Sequence, residues 1–214
     1  MSDQKIHIVG CGPGSREYLT AQAQVAVDEA EIVIGPQQLL NLFQGVASRS
    51  MPTDKEISKS LDLIQSLVRQ KNVAVLVSGD PGCFSLAKLI IQRFGIKRCR
   101  VVPGISSVQL ALARVGLEWT RAKVLSVHGR DEQEVLDQIF NHNPCVILLG
   151  RELTWMSPIV EKLSDQREIF LMQDLGLPRE RISTIKKKKD TEAEISSKSL
   201  LVIFSPQSIP GQES

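Results

Sequence analysis

The chain has 214 residues, of which 42% are hydrophobic and 23% charged, with a formal net charge of +2. That size allows one large domain or two small ones, and the near-neutral charge with only 4% aromatics excludes a general polyanion-binding surface or a base-stacking platform. No apolar run reaches the roughly 18 residues of a membrane span, and Met1-Ser2-Asp3-Gln4-Lys5 lacks a signal-peptide pattern, so the expected location is cytoplasmic with neither membrane nor nucleic acid as partner.

Residues 5–9 read as a buried parallel strand that runs into Gly10-Cys11-Gly12-Pro13-Gly14-Ser15. A helix over 17–30, with Ala21, Ala23, Val25 and Ala26, leads to a strand over 31–34 ended by Gly35-Pro36. A short helix over 36–44 follows. Thr53 or Asp54 is placed to cap a helix on which Ile57, Leu61, Ile64, Leu67 and Val68 recur at helical spacing. The strand 73–77 opens into Ser78-Gly79-Asp80-Pro81-Gly82 and a helix over 83–94 that stops at Gly95. A strand over 98–102 opens into Pro103-Gly104-Ile105-Ser106-Ser107, and the helix from Ile105 to Val115 sets Val108, Leu112 and Val115 on one face. Alternating strands and helices call for a parallel sheet covered on both faces.

The pattern changes after Gly116-Leu117-Glu118-Trp119. Strands are expected at Lys123–Val127, Pro144–Leu149, Ile169–Met172, Arg181–Ile185 and Ser199–Phe204, with helices only at Asp131–Phe140 and Thr154–Leu163. Two helices among five strands predict a mixed sheet. The expected domains are 1–120, carrying the glycine loops, and 121–214, each of ordinary domain size. The polar stretch after Ser205 is expected to fray.

Three glycine-proline loops at the carboxyl ends of consecutive parallel strands are where an open α/β sheet binds ligands, and glycine lets a ligand approach the backbone closely. The first loop departs from the dinucleotide fingerprint: Ser15 stands at the third glycine position, and Pro13 removes an amide a phosphate could use. Glu31 falls at the start of the second strand rather than its end. Asp80 can accept from a ribose hydroxyl or an amino group, the alternative being a turn that merely ends the strand. Ser106 and Ser107 sit at a helix start, where capping is the alternative. The four cysteines, Cys11, Cys83, Cys99 and Cys145, lack zinc-type spacing and read as reduced thiols; no metal is expected.

The segments Ile8-Val9-Gly10-Cys11-Gly12-Pro13-Gly14, Ser78-Gly79-Asp80-Pro81-Gly82 and Val102-Pro103-Gly104-Ile105-Ser106-Ser107-Val108-Gln109 resemble the tetrapyrrole (corrin and porphyrin) methylases over nearly the whole chain. With Ser126-Val127-His128-Gly129-Arg130, they are most similar to the corrin branch that leads to cobalamin. The resemblance implies a two-domain α/β fold, mainly parallel in the first domain and mixed in the second, with a cleft between them. It implies transfer of a methyl group from S-adenosylmethionine (SAM) to a ring carbon of a tetrapyrrole, with C5 the implied position, and a homodimer. Cofactor contacts fall on Val9, Asp80, Cys83, Ser106, Ser107 and Leu149, with Asp174-Leu175-Gly176 nearby. Substrate contacts fall on Gly12, Pro13, Gly14, His128 and Arg130. No catalytic base is implied. Gly82-Cys83-Phe84-Ser85 departs from the pattern, because relatives commonly carry an aromatic and a glycine there.

Arg130 could pair with a peripheral carboxylate and His128 could titrate or donate near it, the alternative being a capped turn. Arg16 and Arg151 are weaker carboxylate candidates. His7 reads as a core side chain, His142 as exposed, Trp119 and Trp155 as packing residues, and Lys186-Lys187-Lys188-Lys189 as a solvated hairpin tip. Other readings are methylation at another corrin position, a nucleotide-binding oxidoreductase, and a basic adaptor that uses the lysine run.

Overall fold

The computed structural model describes residues 5–53, 56–127, 132–150, 156–187, 190 and 195–208. The chain divides into two compact units, Met1–Ser107 and Val108–Ser214.

In the first unit the order is β1 (Ile6–Gly10), α1 (Ala21–Asp28), β2 (Ile32–Gly35), α2 (Gln37–Leu40), β3 (Ser50–Pro52), α3 (Ile57–Leu67), β4 (Val73–Val77), α4 (Ala87–Phe94) and β5 (Cys99–Val102). The strands form one parallel sheet in the order β3-β2-β4-β1-β5. Both faces are covered, which is why the strands are apolar without alternation. Ile6, Ile8, Val73 and Val75 pack with Ile64 and Val68 of the α3 region and Ile90 of α4. Val9, Ala74, Leu76 and Val102 pack with Ala23, Ala26 and Val27 of α1 and Leu39 of α2. Each such side chain taken out of water contributes about 1.5–3 kcal/mol.

Helix boundaries follow local hydrogen bonding. Arg16–Tyr18 forms a separate 3-10 turn, and the Thr20 hydroxyl accepts from the Ala23 amide at 3.1 Å, so α1 starts later than periodicity alone predicts. At its other end the Arg49 guanidinium donates to the Val27 and Ala30 carbonyls. Helix α4 starts at Ala87 rather than residue 83, because the Cys83 amide is turned back to the Asp80 carbonyl at 3.1 Å. The expected cap of α3 is corrected: Glu56 precedes the helix without capping it, the Thr53 amide goes to the Gly35 carbonyl, and Asp54 lies outside the described residues. Strand β3 was not expected.

Helix α5 (Ser107–Arg114) opens at the division between the units. The second unit continues with β6 (Lys123–Ser126), α6 (Glu132–Asn141), β7 (Cys145–Leu148), α7 (Met156–Leu163), β8 (Glu168–Gln173), β9 (Arg181–Thr184) and β10 (Ser199–Phe204). The sheet order is β6-β7-β10-β8-β9; β6 and β7 are parallel, and the other pairings are antiparallel. Cys145, Ile147, Leu171, Leu201 and Ile203 pack in one core with Val135, Ile139, Ile159 and Val160 of α6 and α7. Arg167 closes the end of α6 by donating to the Ile139, Phe140 and His142 carbonyls at 2.8–3.0 Å.

Several expectations are corrected here. Strands β9 and β10 are not neighbours, since β8 lies between them, so the segment with the lysine run is a crossover and not a hairpin tip. Its first part is closed by Asp190, whose carboxylate accepts from the Lys186 and Lys187 amides at 3.0 and 2.9 Å. Trp119 is 58% exposed rather than packed. His142 is half-buried, with Nδ1 2.8 Å from the Gln138 carbonyl. His7 is a core residue as expected, with Nδ1 3.4 Å from the Ala26 carbonyl.

Candidate functional site

In the first sheet β1 and β4 are neighbours, but their following helices cover opposite faces, α1 on one and α4 on the other. Their chain paths therefore diverge above the carboxyl ends, which makes the topological crevice of an open α/β sheet. The three glycine loops after β1, β4 and β5 meet there, because those strands are consecutive in the sheet.

Main-chain contacts lock the loops together. The Gly12 and Gly79 amides and carbonyls exchange hydrogen bonds at 3.2 and 2.7 Å, and the Cys11 amide donates to the Val77 carbonyl at 2.9 Å. A Cβ at Gly10 would lie 2.6 Å from the Gly104 nitrogen and 2.7 Å from Pro81 Cδ, closer than real side chains approach. A Cβ at Gly104 would collide with the Gly79 and Gly10 carbonyls. Glycine is required at both positions for steric reasons.

Asp80 joins the second loop to the third. One carboxylate oxygen accepts from the Gly82 amide at 2.7 Å and the other from the Gly104 amide at 3.1 Å. A carboxylate has about four acceptor sites, so this half-exposed group keeps capacity for a further donor. Cys83 is half-buried, Ser106 is buried and Ser107 is half-buried at the start of α5. Val9 is fully buried in the core against α1, so its side chain supports the loop from below. Gly12 and Pro13 are buried and Gly14 is half-exposed. Ser15 precedes a helical turn without capping it, and its hydroxyl is buried with no hydrogen-bond partner among the described residues. Burial pushes the Cys11 thiol up to about 12, which keeps it a neutral packing group.

In the second unit the carboxyl ends of β6, β7 and β8 share an edge with the start of β10. Leu149 is fully buried and its amide donates to the Ser199 carbonyl at 3.1 Å. Beside it, Asp174 is buried in a left-handed conformation, φ +50. Its carboxylate accepts from Ser196 Oγ at 2.8 Å and pairs with Arg179 at 3.0 Å. The Gln173 side-chain oxygen Oε1 accepts from the Ser196 amide and the Ser199 hydroxyl. Glu180 accepts from Arg114 Nε and the Gly176 amide, both at 2.7 Å, and these bonds hold its carboxyl below the usual range. Burial pushes the Lys198 amine below its ordinary value, against a nearby Asp174 that raises it. Neither the interlock of Gly10, Gly79 and Gly104 nor this network was read from the sequence. A glycine after each strand was the available signal for the first.

His128, Arg130, Arg151 and Trp155 lie outside the described residues. Arg16 is exposed, with Nε donating to the Leu42 carbonyl at 3.0 Å. Glu31 lies before β2 and accepts from the Asn72 amide at 2.8 Å, at the sheet edge opposite the loops. It cannot serve a dinucleotide ribose there. Among the described residues no metal-binding cluster gathers, and no helix is long and apolar enough to cross a membrane.

The family profile of the tetrapyrrole (corrin/porphyrin) methylases matches residues 5–188. The chain belongs to this family. It is therefore a SAM-dependent methyltransferase whose substrate class is the tetrapyrroles. A probable cobalt-precorrin-7 C(5)-methyltransferase of Methanocaldococcus jannaschii is 30% identical over 206 residues, 89% of this chain and 93% of that protein. Among solved structures, a cobalamin-biosynthesis precorrin-6Y methylase of Archaeoglobus fulgidus superposes with a TM-score of 0.74 at 24% identity, covering 94% of this chain and 98% of that one. A uroporphyrin-III C-methyltransferase of Thermus thermophilus, complexed with S-adenosylhomocysteine, gives 0.74 at 21% identity, with 94% and 97% covered. Both likenesses confirm the two-sheet methylase fold expected from the loops. The loop geometry suits the methylase cofactor, because Asp80 retains acceptor capacity beside the glycine backbone.

Proposed function

We propose that this methylase transfers the methyl group of SAM to ring carbon C5 of cobalt-precorrin-7, a step in cobalamin biosynthesis. The observation that carries the position is the 30% identity, over 93% of its length, to the archaeal protein of that name. Methylation at another corrin position is the alternative, and the placement of Glu31 removes the support for a nicotinamide-dependent oxidoreductase.

SAM supplies an electrophilic sulfonium methyl group. In this reading Asp80 uses its remaining acceptor capacity on a ribose hydroxyl or the amino group, and the Cys83 backbone and the Ser106 and Ser107 hydroxyls add polar contacts. Val9 shapes the floor, and Leu149 is a further cofactor contact in the family reading. Gly12, Pro13 and Gly14 take the substrate side, with His128 and Arg130 the candidates for its carboxylates. The backbone lock pre-forms the glycine loops. Pre-orientation of two reactants can supply about 7–11 kcal/mol of barrier reduction. Any cobalt arrives within the substrate. A homodimer in the cytoplasm is the expected working form.

The test is turnover of cobalt-precorrin-7 with methyl-labelled SAM, with the product's methyl position read by NMR. Label at C5 is the expected result; label at another carbon selects the alternative, and no transfer to any corrin by a SAM-binding protein rejects the substrate.

A further inference from the structure

Phe84 has no role in the reaction as described, yet three features converge on it. Its backbone is held at φ +46, the left-handed region that a bulky residue rarely occupies. Its side chain is 52% exposed. It stands on a cavity of about 400 Å³ at the carboxyl ends of β2 and β4, on the face covered by α3 and α4. Backbone strain of this kind persists where the surroundings enforce it and clusters at ligand sites.

The cavity floor is apolar, with Leu76 and Val77, and its mouth is ringed by Phe84, Ile57 (51% exposed) and Leu89 (38% exposed). Ser60 and Ser85 supply hydroxyls. A mostly apolar lining with a few polar groups suits the carbon framework of a tetrapyrrole. The volume falls within the usual range for small-molecule sites but holds only part of a macrocycle. Phe84 directly follows Cys83 in the loop that carries Asp80, so a ring laid on it lies beside the cofactor loop.

We propose that Phe84 is a stacking face for the tetrapyrrole macrocycle. This rests on the corrin methyltransferase reading above. An aromatic face meets a conjugated ring by offset stacking, and holding Phe84 in its strained conformation keeps the ring turned outward.

The test is a visible-absorption titration of cobalt-precorrin-7 into protein loaded with S-adenosylhomocysteine, for the wild type, Phe84→Gly and Phe84→Tyr. Phe84→Gly is expected to weaken cobalt-precorrin-7 binding at least tenfold, leave S-adenosylhomocysteine affinity unchanged and raise the melting temperature, since glycine accepts this φ without strain. Phe84→Tyr is expected to bind like the wild type. Unchanged cobalt-precorrin-7 affinity in Phe84→Gly overturns the proposal, and a concurrent change from dimer to monomer by light scattering assigns the exposed rim to a second copy of the chain instead. Wild-type protein that binds S-adenosylhomocysteine but no cobalt-precorrin-7 rejects the substrate reading, and the proposal falls with it.

Discussion

The two sheets finish their edges by different means. In the first unit the loops above β4, β1 and β5 are joined mainly by backbone: Gly10, Gly79 and Gly104 touch without side chains, and Asp80 adds one carboxylate across two loops. In the second unit the end of β8 and the segment leading into β10 are joined by side chains, through Asp174, Gln173, Ser196 and Ser199. The cause is topological. Parallel neighbours with short loops can bring main chain onto main chain only if Cβ atoms are absent. The crossover from β9 to β10 around β8 leaves backbone groups that longer polar side chains must satisfy. The first edge is sterically intolerant, with Asp80 as a charged contact between two loops; the second tolerates bulk better and depends more on side-chain ionisation.

Substitutions should separate these two kinds of edge. The largest effect belongs to Gly104→Ala, whose new Cβ would meet the Gly10 carbonyl carbon at 2.7 Å. Urea denaturation should show a loss of about 3 kcal/mol; a change below about 1 kcal/mol would mean the loops are not interlocked. Next, Asp174→Ala removes the acceptor for Ser196 and Arg179 and should cost about 2 kcal/mol. Asp174→Asn should cost less, because asparagine also tolerates the left-handed region. Equal losses would show that the charge carries the whole interaction, and an asparagine variant as stable as the wild type would show that it contributes nothing.

A smaller effect, below about 1 kcal/mol, is expected for Glu180→Gln, since the pair with Arg114 is partly exposed. The folded-state pKa of Glu180 lies below its ordinary value, so its contribution is complete above about pH 5 and drains as the pH falls through the folded value. Wild type and Glu180→Gln should therefore differ in stability at neutral pH and converge in acid; a constant gap would contradict the ion pairing. No stability change is involved in the last comparison. Cys11, buried with its thiol pushed up to about 12, should resist a thiol reagent in the native protein, whereas half-buried Cys83 on the outer part of the second loop should react. Early labelling of Cys11 would show that the glycine loops open.

The backbone-built edge was far more legible in the sequence than the side-chain-built one. Each loop announces itself as glycine and proline directly after an apolar run, whereas the sheet order β4-β1-β5 is what places the three together. Thr20 could have marked the start of α1, but the helical turn Arg16–Tyr18 just before it blurred the boundary. Strand β3, Ser50–Pro52, is three residues long and partly exposed, so it carries no periodic signal. The second edge joins Gln173 and Asp174 to Ser196 and Ser199 across more than 20 residues, a pairing that only the strand order β10-β8 creates. The conformation of Phe84 was equally hidden, since nothing in Cys83-Phe84-Ser85 demands a positive φ.

The central claim is that the loops above β4 and β5 hold the methyl donor. Calorimetric titration of SAM, and separately of NAD, into the wild type and Asp80→Ala tests it most directly, with circular dichroism to verify that both are folded. The account predicts SAM binding, no NAD binding, and at least a tenfold loss of SAM affinity, about 1.4 kcal/mol, in Asp80→Ala. A folded wild type that takes up NAD and not SAM would contradict it.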